Sequence, residues 1–460
     1  MEVSMSDPSG PDIAATDPDG AVSTRAAGRK AIVASMIGNA IEWFDYGIYG
    51  YLAPVFAVVF FPESDQTAAL LSTYAVLAVS FLIRPLGGLV MGRHGDRRGR
   101  KFVLSFTILL MSGGTFAIGV LPGYAVIGVA APALLLACRL VQGFGAGGEY
   151  SGAVSFVVEH GPPRKRAYYG SWVAVSVFVG LLASSGFATL LTSTLSEASL
   201  NSWGWRIPFL IAAPLGLIGL YIRSKMEDTP EFKKVVETSN VVAAPVTEAV
   251  RTSWKPMTVF FAFAISNAVG SYLFSSYLTT YLTTTGGHPK SEALLANSIA
   301  LIMLIVALPF GGKLCDRIGR KPCLLIGTGL LGVLILPSFM LADQPGFGAV
   351  LGSELVFAVA LFFISPVVTV SVAEMFPAAV RVTAGAITYN LAFTVFGGTT
   401  PFIATALVES GGALAPAYYV MAITLFSFAV VLLAFKGRRA RLAPEGYRAK
   451  SDQSSAAIVS

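Results

Sequence analysis

The sequence predicts an all-α integral membrane protein with twelve transmembrane helices in two six-helix, pseudo-symmetric halves. Three observations carry that expectation. The chain is 54% apolar and only 13% charged, with a mean hydropathy of +0.69, where a soluble chain has about 25% charged residues. Apolar windows of about 20 residues, long enough to cross a bilayer as a helix, occur twelve times. Finally, one phrase is written twice: Gly92-Arg-His-Gly-Asp96-Arg97-Arg-Gly99-Arg100-Lys101 returns as Gly312-Lys-Leu-Cys-Asp316-Arg317-Ile-Gly319-Arg320-Lys321. Parallel repeats of this kind mark a class of secondary transporters.

The windows fall at 32–60, 68–92, 102–121, 128–158, 167–194, 205–222, 255–284, 291–312, 322–341, 346–373, 382–408 and 414–435. Each is expected to be helical, because a lipid-facing backbone must satisfy its own hydrogen bonds. Residues 1–30 read as a disordered cytoplasmic lead without the apolar core of a signal peptide. The halves are then 31–222 and 255–435, joined by a polar cytoplasmic linker, 223–254. A basic, disordered tail follows at 436–460.

Charge sets the orientation. With these spans, 28 of the 32 Lys and Arg residues fall on one side, which the positive-inside rule makes cytoplasmic, together with both termini. The net charge of +6 is therefore topological and carries no nucleic-acid meaning. An anionic-lipid anchor is the alternative reading of the basic tail.

In the repeated phrase, Gly92, Gly99, Gly312 and Gly319 allow tight turns and close helix approach. Asp96 and Asp316 suit a helix N-terminus, where the macrodipole favours an anion. Arg97, Arg100, Arg317 and Arg320 can pair with carboxylates of neighbouring helices. Pairs made in one conformation only would bias an alternating-access equilibrium. The plainer reading is that these charges only fix topology.

Charge inside the spans is the second signal, because an ionisable group at membrane depth costs at least about 2.5–3.5 kcal/mol. Glu42 and Asp45 share a face of the first span, with Tyr46 and Tyr49 four residues beyond each. Arg139, Gln142, Glu149 and Tyr150 form a stripe on the fourth span. A carboxylate binds a proton among apolar walls and releases it beside a guanidinium. Asp45 or Glu42 is the expected proton carrier, with Glu149 as alternate and Arg139 as the modulating charge. A static ion pair between the first and fourth spans is the competing reading. In the second half, Asn267 and Tyr272, then Tyr389 and Asn390, are candidate substrate contacts with Tyr46, Tyr49, Gln142 and Tyr150, although polar side chains also glue membrane helices together. Aromatic residues of the first span could cage a quaternary ammonium or simply pack.

Several chemistries are set aside. Gly143-Phe-Gly145-Ala-Gly-Gly148 fits a dinucleotide fingerprint but lies in an apolar helix without a preceding strand; its glycines suit tight helix packing. There is no phosphate-binding loop for ATP, no catalytic cluster, and no metal or disulfide spacing among Cys138, Cys315 and Cys323. No cofactor, metal or enzymatic activity is expected.

The repeated phrase resembles the signature of the major facilitator superfamily. More narrowly, the chain is similar to the metabolite:proton symporter family through Gly38-Asn-Ala-Ile-Glu42-Trp-Phe-Asp45-Tyr, Phe81-Leu-Ile-Arg84-Pro-Leu-Gly-Gly, Arg139-Leu-Val-Gln-Gly-Phe-Gly-Ala-Gly-Gly-Glu149-Tyr150, Trp203-Gly-Trp-Arg-Ile-Pro-Phe, Glu227-Asp-Thr-Pro-Glu-Phe and Met375-Phe-Pro-Ala-Ala-Val-Arg381. The resemblance covers about 30–440. It implies a monomeric inner-membrane symporter that binds a small polar metabolite between its halves and links Arg139 to proton transfer. Zwitterionic compatible solutes such as proline or glycine betaine come first. Carboxylates such as 2-oxoglutarate, citrate or shikimate are the alternative, for which one basic residue, Arg139, is thin. Osmosensing members carry a long C-terminal coiled coil, and this tail lacks the heptads for one. A drug exporter of the same fold would carry a Gly-Pro pair in the fifth span, absent from 167–194. A receptor would carry a signalling domain.

Overall fold

The computed structural model describes residues 18–61, 65–98, 100–147, 150, 153–154, 157–158, 162–224, 245–376 and 381–435, except the side chains of 18–32, 34–35, 92–104, 163, 215, 222–224, 245, 276 and 381–382. Every predicted span has its helix. These are α1 (Pro18–Tyr51, continued by Ala53–Phe60), α2 (Gln66–Leu82 running into Arg84–Arg98), α3 (Arg100–Val120), α4 (Ala130–Ala146), α5 (Arg166–Thr194) and α6 (Ile207–Ser224). The second half holds α7 (Pro245–Tyr272 through Leu278–Thr284), α8 (Lys290–Ile318), α9 (Arg320–Ala342), α10 (Phe347–Glu374), α11 (Arg381–Ala392 through Thr400–Gly411) and α12 (Ala415–Leu433). Among the described residues, nine helices are long and apolar enough to cross a membrane. A bent pair makes a tenth, and Ser105–Val120 and Ala130–Ala146 are shorter apolar helices.

Two features depart from the expectation. Helix α1 starts at Pro18, inside the segment read as a disordered lead. Proline suits a first helical position, and the alanine-rich stretch behind it favours helix. Helix α1 also bends by 64° beyond Tyr51. Pro54 opens the following piece and cannot donate the backbone bond that would continue the helix.

The packing repeats with an offset of six helices. In the first half α1 packs on α5, α3 on α6, and α2 on α4; in the second, α7 packs on α11, α9 on α12, and α8 on α10. The halves meet along α5 with α8 and along α2 with α11, itself a symmetric pair of seams. The glycine-rich α4 lies backbone-to-backbone on α2. A Cβ on Gly143 would stand 2.0 Å from the Ser80 carbonyl oxygen, and one on Gly147 2.1 Å from that of Arg84. Large apolar side chains such as Leu217, Val306, Phe310, Val333 and Leu433 point outward, as lipid-facing surface requires.

Candidate transport site

Helix α1 carries both acids into the interior of the first half, where Glu42 and Asp45 are 3% and 4% exposed. Asp45 Oδ1 accepts from Thr115 Oγ1 of α3 at 2.8 Å. Its Oδ2 accepts from Arg139 Nη1 at 3.1 Å and Gln142 Nε2 at 2.9 Å, both on α4. Arg139 lies over the Tyr49 ring at 3.9 Å, and the Tyr49 hydroxyl donates to the Thr73 carbonyl at 2.9 Å. The Nε and Nη2 of Arg139 are buried without a hydrogen-bond partner among the described residues. A small space with room for about one water touches Asp45, Gly38, Thr115 and Ala212 between α1, α3 and α6.

Glu42 faces a different arginine. It pairs with Arg84 of α2, whose Nε donates to the Tyr46 hydroxyl at 3.3 Å. Its guanidinium lies 4.6 Å from the Tyr46 ring centroid and 4.6 Å from that of Phe81. The two acids thus head two similar cassettes, each a carboxylate, a tyrosine four residues on, and an arginine from a neighbouring helix. The sequence reading did not place Arg84 in the site, although its position inside an apolar span was the available signal.

Between the halves lies a central cavity. Its wall includes Trp43 of α1, Tyr150, Phe178 of α5, Asn267 and Ser271 of α7, Ser365 and Thr369 of α10, and Tyr389 and Phe393 of α11. Tyr150 stacks on Tyr389 at 4.2 Å, which stacks on Phe393 at 4.1 Å. Trp43 meets Tyr272 at 6.0 Å. Asn267 Oδ1 accepts from Ser365 Oγ at 2.8 Å. The Trp43 indole nitrogen and the Tyr272 hydroxyl are buried without a hydrogen-bond partner among the described residues. Water-sized spheres find about 20 Å³ of room, enough for about one water, so a solute must spread these walls.

Of the proposed substrate contacts, Tyr150, Asn267 and Tyr389 therefore line the cavity, and Tyr272 packs behind it. Tyr46, Tyr49 and Gln142 sit in the ion-pair cassettes instead. Asn390 donates to the Gly147 carbonyl at 2.8 Å, tying α11 to α4. Arg139 stands with Asp45 and is not among the cavity's lining residues. Glu149 and Gly99 lie outside the described residues, as do the side chains of Asp96, Arg97 and Arg100. Gly92 lies on α2.

The second hairpin is fully described. Asp316 accepts from the backbone N–H of Ala167 at 3.1 Å and of Tyr168 at 2.9 Å, in the first turn of α5 across the seam. Arg320 pairs with Asp316 at 3.1 Å and grips Glu374 with two bonds of 3.0 Å. Gly319 has φ of +100°, a value that favours glycine. A Cβ on Gly312 would stand 2.7 Å from the Ala167 carbonyl oxygen. Arg317 makes no ion pair or side-chain hydrogen bond among the described residues. At the opposite face, Tyr51 bonds Asn297, Tyr74 bonds Thr280, and Ser185 bonds Ser298. Bonds thus cross the seam at both faces.

Two six-helix halves around a central cavity define a membrane carrier. The Major Facilitator Superfamily profile matches residues 35–395 and 264–457, and the chain belongs to that family. It is 38% identical over 407 residues to the proline/betaine transporter of Escherichia coli strain K12, covering 86% of this chain and 81% of that one. It is 39% identical over 407 residues to the glycine betaine/proline/ectoine/pipecolic acid transporter OusA of Dickeya dadantii strain 3937, with the same coverage. A solved D-xylose–proton symporter superposes with a TM-score of 0.70 at 18% identity, covering 89% of this chain and 97% of that one, which supports the fold alone.

Proposed function

We propose that this chain is a proton-coupled symporter that imports a small zwitterionic compatible solute, with proline and glycine betaine as the leading substrates. The observation that carries the reading is the wall of the central cavity: aromatic rings and neutral polar groups, with no Lys or Arg among its lining residues. Over such rings an ammonium gains about 0.5–2 kcal/mol. The Trp43 N–H, without a hydrogen-bond partner among the described residues, offers a donor to a single carboxylate. A di- or tricarboxylate would bring several charges to a wall with no Lys or Arg among its described lining residues, and burying unpaired charge is costly. The names of the relatives support the same substrate class.

Asp45 is the proton carrier of this reading. It exchanges its bond to Arg139 for a proton as α1 and α4 shift, and the small space beside it admits the water that would deliver one. Glu42 and Arg84 brace α1 against α2. The hairpin phrases act as a gate as well as a topological anchor, since Asp316 reaches across the seam. The basic hairpin face is cytoplasmic, with both termini, in a monomer of the cytoplasmic membrane. Its halves are 31–222 and 255–435, with 223–254 as linker.

Uptake of labelled solutes into proteoliposomes under an imposed inward proton gradient tests this. Concentrative uptake of proline or betaine that collapses with the gradient is expected. Uptake of citrate or 2-oxoglutarate in their place, or uptake indifferent to the gradient, overturns it.

A further inference from the structure

Deep in α10, seven residues from its start, lies an acid that the transport site does not use. Glu354 is 0% exposed. Its Oε2 accepts from Asn297 Nδ2 of α8 at 3.0 Å, and its Oε1 has no hydrogen-bond partner among the described residues. The same amide donates to the Phe274 carbonyl at 2.8 Å, inside the π-helical turn Leu273–Tyr277 of α7. The Asn297 carbonyl oxygen accepts from the Tyr51 hydroxyl at 2.6 Å. Tyr51 belongs to the other half and sits where α1 bends. One amide thus joins the acid, the irregular turn of α7 and the bend of α1. π-Turns occur preferentially at functional sites.

Among the described residues, no cation is paired with the acid. On α8, Lys290 and Glu292 occupy the first turn, and Lys313, Asp316 and Arg317 the hairpin end. On α9, Arg320 and Lys321 are at the hairpin end, and Asp343 caps the other end, where it accepts from Tyr281 of α7 at 3.1 Å. Glu248, Arg251 and Lys255 of α7, Arg166 of α5, Arg381 of α11 and Glu374 of α10 itself all lie toward the hairpin face, and Glu409 near the end of α11 reaches Thr67 of α2. Tyr277 of α7 is buried and makes no recorded contact with Glu354. Tyr51, joined through Asn297, is the titratable side chain of the cluster.

We propose that Glu354 is a second proton-binding group of the carrier, and that its protonated form locks the face opposite the hairpins through Asn297 and Tyr51. An ionised carboxylate sealed here would have one amide donor and no counter-charge, which is strongly disfavoured. The carboxylic acid loses only one weak partner. When this face opens, water reaches Glu354 and the proton leaves to it; reprotonation from the same side permits closure. Acid therefore favours the closed face, and rising pH releases it.

The test is the distance between spin labels on Val126→Cys and Gln344→Cys, exposed on that face in opposite halves, with the three native cysteines replaced by alanine, in nanodiscs between pH 5 and 8. The long-distance population of the otherwise unchanged protein is expected to grow with pH. Glu354→Gln, which imitates the acid, should stay at the short distance throughout. Tyr51→Phe removes one neutral hydrogen bond from the closed state. It should lower the midpoint by about 0.7 pH, the equivalent of a roughly five-fold shift in the closed-to-open ratio. The proposal is overturned if Glu354→Gln follows the same pH course as its parent, if Tyr51→Phe leaves the midpoint in place, or if the parent distances ignore pH. It draws on the transporter reading only for alternation. Asp45→Asn failing to affect symport would sink the Asp45 assignment and leave these distances untouched, whereas Asp45→Asn abolishing the pH course would reassign it to Asp45.

Discussion

Asp45→Asn separates the two roles that the site combines, holding Arg139 and carrying a proton. The substitution preserves shape, so Thr115 and Gln142 keep heavy atoms at the same places. Arg139 does not keep its counter-charge. It is fully buried, and two of its three nitrogens already lack hydrogen-bond partners among the described residues. Removing one member of a buried ion pair costs about 3–5 kcal/mol, so the variant should unfold at a clearly lower temperature. Asp45→Asn with Arg139→Gln should recover most of that loss. The transport consequence is larger. A gradient of about 2 pH units stores about 2.7 kcal/mol per proton, enough for about 100-fold accumulation at one proton per solute. Asp45→Asn in proteoliposomes should reduce accumulation to about equality across the membrane, while exchange of internal for external solute continues without a gradient. Glu42→Gln should retain accumulation. Wild-type accumulation by Asp45→Asn would refute the assignment, and loss in Glu42→Gln alone would pass the role to Glu42.

Tyr389→Ala removes the middle ring of the Tyr150–Tyr389–Phe393 stack. It should weaken glycine betaine binding about 2- to 30-fold, the range of one cation–π contact, with isothermal titration as the check. Gly312→Val places branched carbon where even a Cβ would stand 2.7 Å from the Ala167 carbonyl. It should pry α8 from α5 at the hairpin face, seen as faster modification of a cysteine placed at Thr369. Glu42→Gln alone should destabilise more than Glu42→Gln with Arg84→Gln together, because the double variant leaves no buried guanidinium unpaired; thermal unfolding decides this.

The architecture was legible because lipid imposes a strong rule on sequence. Twelve apolar windows became twelve helices, and the duplicated phrase foretold the six-helix offset in packing. An ion pair between α1 and α4 was the competing expectation from opposite charges at membrane depth, without saying which of Glu42 and Asp45 would make it; Asp45 pairs with Arg139. The partner of Glu42 did not follow. Glu42 and Asp45 are three residues apart, and one face suggested one partner, yet the roughly 60° between them around the helix is enough to turn one acid to α2 and the other to α4. Glu354 was overlooked because a single acid in the long apolar run Phe347–Glu374 barely changes a windowed hydropathy. Its isolation was the clue. The π-turns of α7 (Leu273–Tyr277) and α11 (Phe393–Gly397) left no signal in composition.

The bonds across the seam are of a different kind from those inside each half. Among the described residues, the ion pairs lie within halves: Glu42 with Arg84, Asp45 with Arg139, and Arg320 with Glu374. Across the seam, the opposite face is joined mostly by bonds between neutral groups, such as Tyr51 to Asn297, Tyr74 to Thr280, and Ser185 to Ser298, with one long, exposed bond of 3.4 Å from Thr67 to the Glu409 carboxylate. Each such bond contributes about 0.5–1.5 kcal/mol net, whereas a bond to a charged group contributes about 1.5–3. The halves are therefore stiff bodies with a soft joint, and opening a face lies within reach of solute or proton binding. The joint is not equally soft at both ends. At the hairpin face, the Asp316 carboxylate accepts two backbone N–H bonds at the N-terminus of α5, where the macrodipole adds to its hold. The hairpin face should then be the harder one to open, and the carrier at rest should favour opening on the other side. Asp316→Asn keeps the shape but removes the charge, and should shift the resting population toward a hairpin-open state by about 10-fold, on the order of one charged hydrogen bond. Labels across the hairpin face would report the shift, and unchanged distances there would mean that the seam does not set the resting direction.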